Sequence, residues 1–194
     1  MPARSTLFIS VDVEADGPIP GPFSMLSFGA AVCGRFGADG FTAQDPARQT
    51  FYRELRPISP DFDPEALAVS GLDRDHLAGN GSEPEEAMAG FRAWVTEVSG
   101  GDKPIVVGYP VCYDWMFLYW YLIRFGGHSP FGHSGCMDMK TMFSVKSGRS
   151  IAFVGKRSMP QHLLPDRPHT HNALDDAIEQ GELFANLMVW KGTD

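Results

Sequence analysis

Hydrophobic and polar positions along the chain change texture part of the way through. Residues 6–13 are rich in Ile, Val, Leu and Phe, which predicts a buried strand. The Gly- and Pro-rich run Asp16-Gly17-Pro18-Ile19-Pro20-Gly21-Pro22 must be a loop. A second strand follows at about 24–34, with Gly29 inside it, and a third at 49–56. Short connections between the three predict an antiparallel meander. After residue 60 the period lengthens. Residues 64–71 read as a short helix stopped by Gly71. Ser82 to Val98 reads as a longer helix, with Ser82 as N-cap and Ala87, Phe91, Trp94, Val95 and Val98 as its apolar stripe. Residues 104–108 have the fully apolar character of a parallel, buried strand. An aromatic-rich helix is expected over 113–125, a strand over about 136–142, and a last helix over about 173–190. Strands first, then strand–helix alternation, give an α/β fold: a mixed five-stranded sheet covered by helices.

The chain has 194 residues, enough for a single domain over 1–194 with a substantial core. Its N-terminus has no basic and apolar leader of the secretory type, and the longest apolar run, Trp115 to Ile123, is too short for the ~20 residues of a membrane span. Cys33, Cys112 and Cys136 are isolated, which argues against disulfides and zinc knuckles and for a cytoplasmic protein without membrane contact. A net charge of −8 excludes a generic electrostatic grip on long duplex DNA. The charge is uneven, however. Lys140, Lys146, Arg149, Lys156, Arg157 and Arg167 face only Asp166 within 139–170, whereas 61–97 is strongly acidic. The basic stretch is either a solvated loop or a phosphate-contacting rim, with Lys140, Arg149, Lys156 and Arg157 as the substrate-binding candidates.

Asp12 and Glu14 stand two apart on the first strand, so their side chains share a face. Carboxylates at the end of an apolar strand are costly unless a cation lies between them, and carboxylates without thiols suit magnesium or manganese. Asp114, opening a helix just after the buried strand 104–108, is a third candidate ligand. Asp176 is the fourth: Asn172 N-caps the last helix, which puts Asp176 in its first turn and His171 just outside it. Asp175 is turned about 100° away from Asp176 around that helix. His169-Thr170-His171 lacks the further His or Cys that zinc would need.

These residues occur as Asp12-Val13-Glu14, Asp114 and His171-Asn172-Ala173-Leu174-Asp175-Asp176, in that order. The pattern resembles the DEDDh exonucleases, the superfamily of the proofreading subunit of bacterial DNA polymerase III, ribonuclease T and oligoribonuclease. Ser27 to Val32, Leu55-x-Pro57 and Ala68 to Leu72 resemble further stretches of that family, and the likeness runs over about residues 6–190. Pro110 stands where the family usually has Asn, and Ala15-Asp16-Gly17 replaces its usual Thr-x-Gly. The resemblance implies a ribonuclease H-like sheet with helices on both faces. It also implies a metal-dependent 3′–5′ exonuclease releasing nucleoside 5′-monophosphates from the 3′ end of single-stranded RNA or DNA. Two Mg2+ or Mn2+ ions would be held by Asp12, Glu14, Asp114 and Asp176, and His171 would act as general base. Phe23 and Met25, after the first motif, are either wedges against the terminal bases or core residues. The alternative is a non-catalytic module that binds nucleic-acid ends on the same fold. Some relatives are homodimers, so the resemblance leaves a homodimer open.

Overall fold

Strand β1 (Thr6–Ala15) runs through the middle of the sheet and carries the first two acids. The fold comes from a computed structural model, which describes residues 5–192. β2 (Met25–Gly37) lies antiparallel to β1, with Gly29 opposite Asp12 and Ser27 opposite Glu14. The outer edge of β2 takes two short antiparallel strands, β3 (Gly40–Ala43) and β4 (Thr50–Glu54). On the other side of β1, β5 (Lys103–Gly108) and then β6 (Cys136–Asp138) pair in parallel. The expected mixed sheet is therefore present, with β3 as an additional short strand.

Alternation along β1 sorts its side chains between two cores. Leu7, Ile9, Val11 and Val13 pack against Phe91 and Val95 of α3 (Pro84–Ser99) and Phe117 and Tyr121 of α4 (Val111–Arg124). Phe8 points the other way. It packs with Met139 and Phe143 of α5 (Met139–Ser147) and with Leu183 and Phe184 of α6 (Ala173–Val189). Helices thus cover both faces, and the even-numbered residues of β1, Asp12 and Glu14 among them, look toward α6. Among the described residues no helix is long and apolar enough to cross a membrane.

Several boundaries differ from the sequence reading for local reasons. Ser82 does not cap α3. It continues the extended chain, bridging Leu55, while Glu83 takes the cap position without a side-chain bond. The strand expected over 136–142 stops at Asp138, whose carboxylate accepts from the Thr141 amide at 2.6 Å and so starts α5. Met139, Met142 and Phe143, spaced at i, i+3 and i+4, are the buried side of that helix. Two more helices fill 64–80. α1 (Pro64–Ser70) ends at left-handed Gly71 as expected, and α2 (Arg74–Asn80), capped by Asp73, was not foreseen.

Candidate active site

Gly29 determines how closely α6 approaches the sheet. A Cβ there would stand 2.2 Å from the Ala173 carbonyl oxygen and 2.5 Å from Leu174 Cα. The first turn of α6 therefore lies directly on β2, at the residue paired with Asp12. Asn172 caps that turn as expected, its side chain accepting from the amides of Leu174 and Asp175. Asp175 faces solvent, and Asp176 is fully buried beside β1. Carboxylate oxygens of Asp12, Glu14 and Asp176 all lie within 4.8 Å of one another.

Asp114 approaches from the opposite side of β1. The β1–β5 ladder ends at Ser10, so the Val13 amide lies beyond the paired stretch of that edge. It donates to Asp114 Oδ1 at 3.1 Å, which ties the first turn of α4 to the strand between the two acids. Asp114 stands outside the 4.8 Å group, yet its charge acts on Asp12.

The electrostatics are those of crowded, buried oxyanions. Burial, followed by the charges of Asp114, Glu14 and Asp176, pushes the Asp12 carboxyl well above its usual range, with Lys156 acting against them. Burial and then Asp176 push Glu14 up to about 7. Burial carries Asp114 up to about 8, against the opposing hydrogen bond from the Val13 amide. Asp176 Oδ2 is buried with no hydrogen-bond partner. A buried oxygen without a donor, among carboxylates that repel one another, is what a hard divalent cation satisfies, and the all-oxygen donor set fits magnesium or manganese.

Two neighbours of the acids, Gln180 and Glu179, escape the sequence reading, and a third, His169, figures in it only as an unsupported zinc ligand. Gln180 donates from Nε2 to Asp12 Oδ1 at 2.7 Å and accepts from the Tyr109 amide at 2.7 Å, so it braces Asp12 against the end of β5. Glu179 pairs with Lys156 Nζ at 2.5 Å. His169 Nδ1 lies 3.1 Å from Asp176 Oδ1, which also accepts from the Thr170 amide at 2.9 Å. The signal for the first two was in the chain: Asp176, Glu179 and Gln180 fall at i, i+3 and i+4, a polar stripe on the otherwise apolar buried side of α6. His171 is exposed, has a φ of 56°, and packs edge-on against His169 with ring centres 4.6 Å apart. A ring nitrogen of each histidine lies within 4.8 Å of Asp176.

The remaining candidates are dispersed. Phe23 is half-buried over Gly17, where any Cβ would collide with its ring, and Tyr113 donates to the Gly17 carbonyl at 2.9 Å. Met25 is a correction: its side chain is fully buried in the core and offers no surface to a base. Asp16 of the 16–22 loop is also buried, accepting from the Ser24 amide and pairing with Arg74. Lys140 is half-buried in the first turn of α5, and Arg157 is exposed. Arg149 spans its own loop by donating to the Ser158 carbonyl at 3.1 Å.

A mixed sheet with helices on both faces and an acidic cleft over its central strand defines a ribonuclease H-like nuclease fold. Solved structures agree. Cell-death related nuclease 4 (CRN-4) superposes with a TM-score of 0.66 over 96% of this chain and 64% of that one, at 12% identity. E. coli exonuclease I in complex with a dA16 oligonucleotide gives 0.62 over 94% of this chain and 40% of that one, at 13% identity. The chain thus spans less than two thirds of either neighbour. No protein-family model matches it. The 3′-5′ DNA exonuclease Cap18 of Escherichia coli, by contrast, is 38% identical over 179 residues, covering 92% of this chain and 89% of Cap18. The chain belongs to the DEDDh 3′–5′ exonuclease superfamily.

Proposed function

We propose that this protein is a divalent-metal-dependent 3′–5′ exonuclease that removes nucleoside 5′-monophosphates from the 3′ end of single-stranded DNA. The observation that carries this reading is the convergence of Asp12, Glu14 and Asp176 around a buried, unpartnered carboxylate oxygen, with Asp114 and His171 at the margins. The choice of DNA rests on the 38% identity to a DNA exonuclease.

Asp12, Glu14, Asp114 and Asp176 would hold two Mg2+ or Mn2+ ions. When bound there, such ions would supply Lewis-acid stabilisation of the scissile phosphate and of the departing 3′ oxygen. His171, exposed at the lip on a left-handed backbone, takes a proton from the attacking water at a ring nitrogen. The water oxygen bonds to phosphorus, the P–O3′ bond breaks, and the new 3′ hydroxyl is protonated from solvent. His169 and the Thr170 amide orient Asp176, and Gln180 orients Asp12. Phe23, beside the first-motif loop, supports the terminal base, and Lys140, Arg149, Lys156 and Arg157 border the strand's path.

A second reading, end-binding without cleavage, draws on Pro110, which caps α4 with no side-chain hydrogen bond. One experiment separates the two. A 3′-labelled and a 5′-labelled single strand are incubated with the protein and manganese. Stepwise shortening from the 3′ end with release of 5′-monophosphates, lost in Asp12→Ala and Asp114→Asn variants that still fold, supports the exonuclease. Binding without shortening supports the module, and undiminished cleavage by either variant removes the site assignment.

A further inference from the structure

The segment 149–158 carries an aromatic side chain that the fold does not use. Phe153 is 84% exposed, the most exposed large hydrophobic among the described residues, and Ile151 beside it is 47% exposed. The turn that presents them is firmly built. The Phe153 amide donates to the Ser150 carbonyl at 3.0 Å, and the Arg149 guanidinium closes the segment on Ser158. Val154 and Met159 are buried in the core beneath α5 and α6. Rigid display of a Phe to water costs apolar hydration and gains nothing within the chain.

Its surroundings indicate what it meets. Along the chain Arg149 precedes the apolar tip and Lys156 and Arg157 follow it, and the Arg149–Ser158 hydrogen bond brings these two ends together at the base of the tip. Lys156 reaches Glu179 of α6, one residue from the Gln180 that braces Asp12. The base of the tip therefore carries cations, and the charge of one of them, Lys156, acts on Asp12 in the acidic cleft. Aromatic faces between cations suit a single strand, whose bases stack on the ring while its phosphates meet Lys and Arg. An apolar protein partner would gain nothing from the cations.

We infer that Phe153, flanked by Arg149, Lys156 and Arg157, is a stacking platform for a nucleotide upstream of the 3′ end, selecting unpaired strands of sufficient length. This rests on the exonuclease reading above and adds a specificity residue outside the acidic cleft.

The test uses the full chain with single-stranded oligo(dT). In an Asp12→Ala background, Phe153→Ala is expected to weaken anisotropy-measured binding of a 12-mer about tenfold, to leave a dinucleotide unaffected, and to be restored by Phe153→Trp. In the active protein the same substitution should raise KM for the 12-mer with kcat unchanged. It should also leave hydrolysis of the p-nitrophenyl ester of thymidine 5′-monophosphate unchanged, because that substrate reports the acidic cleft alone. Equal 12-mer binding with and without Phe153, or an equal loss on dinucleotide and 12-mer, overturns the inference while ester hydrolysis keeps the exonuclease reading intact. Failure of the parent protein to cleave either substrate removes both.

Discussion

Gly29→Ala tests whether the closeness of α6 to the sheet makes the acidic cleft. The added methyl would stand 2.2 Å from Ala173 O, 2.4 Å from its carbonyl carbon and 2.5 Å from Leu174 Cα. All three are backbone atoms, so no rotamer change relieves the clash. Restoring ordinary contact near 3.5 Å requires the first turn of α6 to retreat by about 1.3 Å. That turn carries Asp176, and sites of this kind tolerate displacements of only about 0.5 Å. Overpacking of this kind costs about 1–3 kcal/mol, which in a chain of this length lowers Tm by roughly 2–12 °C. Misplacement by about an ångström costs roughly 100-fold in turnover. Gly37→Ala is the internal control: it lies on the same strand, and its Cβ would meet nothing within 4 Å. Tm by scanning calorimetry, Mn2+ affinity by titration calorimetry and turnover on oligo(dT) are compared for parent, Gly29→Ala and Gly37→Ala. If Gly29→Ala matches Gly37→Ala in all three, the helix does not position Asp176, and the account of how the cleft is gathered fails.

Removing the brace on Asp12 should weaken the metal site more than the fold: Gln180→Leu is expected to lower Mn2+ affinity about 10–100-fold by titration calorimetry, and unchanged affinity would show that Asp12 needs no orientation. His171→Ala should lower turnover on a single strand about 10²–10⁴-fold with Mn2+ affinity retained; undiminished turnover takes the proton-accepting role from it. The pH dependence has a definite sign. Glu14 rises from its ordinary 4.5 to about 7 and Asp114 from 3.8 to about 8, both chiefly by burial. In the metal-free protein the folded state therefore holds protons that the unfolded chain has released. Their contribution is complete below about pH 4 and is lost as pH climbs through 7 and 8. Melting in EDTA should show Tm falling across that window and added Mn2+ reversing the fall, and a metal-free Tm that rises from pH 5 to 8 would contradict the burial described.

Much of the scaffold was legible because its signals are local. An apolar run with acids two apart at its end could only be a buried strand with both carboxylates on one face. Asn172 before Ala173 marked a cap that fixes the phase of α6, and with it the exposure of Asp175 and burial of Asp176. Less local features were illegible. Met25, which its place after a loop leaves between wedge and core, is core: the chain is already buried at Ser24, and only the register of β2 against β1 reveals it. His169 has no zinc partners in the sequence; its partner is a carboxylate seven residues on, brought back by the left-handed turn at His171. Gln180 is neutral and mid-helix, so composition gave no reason to single it out, although its spacing of four from Asp176 did.

The same geometry reconciles an acidic protein with an acidic substrate. Four carboxylates crowd the end of β1, and those of Asp12, Glu14 and Asp114 are pushed toward the protonated state by burial and mutual repulsion, so the metal-free cleft has no attraction for phosphate. Two divalent cations would reverse the local sign and release those protons. Cation binding, carboxylate ionisation and phosphate attraction are then one linked equilibrium rather than three properties. Apparent Mn2+ affinity must therefore rise steeply between about pH 6 and 8 with proton release, measurable as a buffer-dependent heat in titration calorimetry. Affinity independent of pH across that range would mean that the carboxylates are already ionised in the empty cleft, and the fold would not be holding them together at the cost described here.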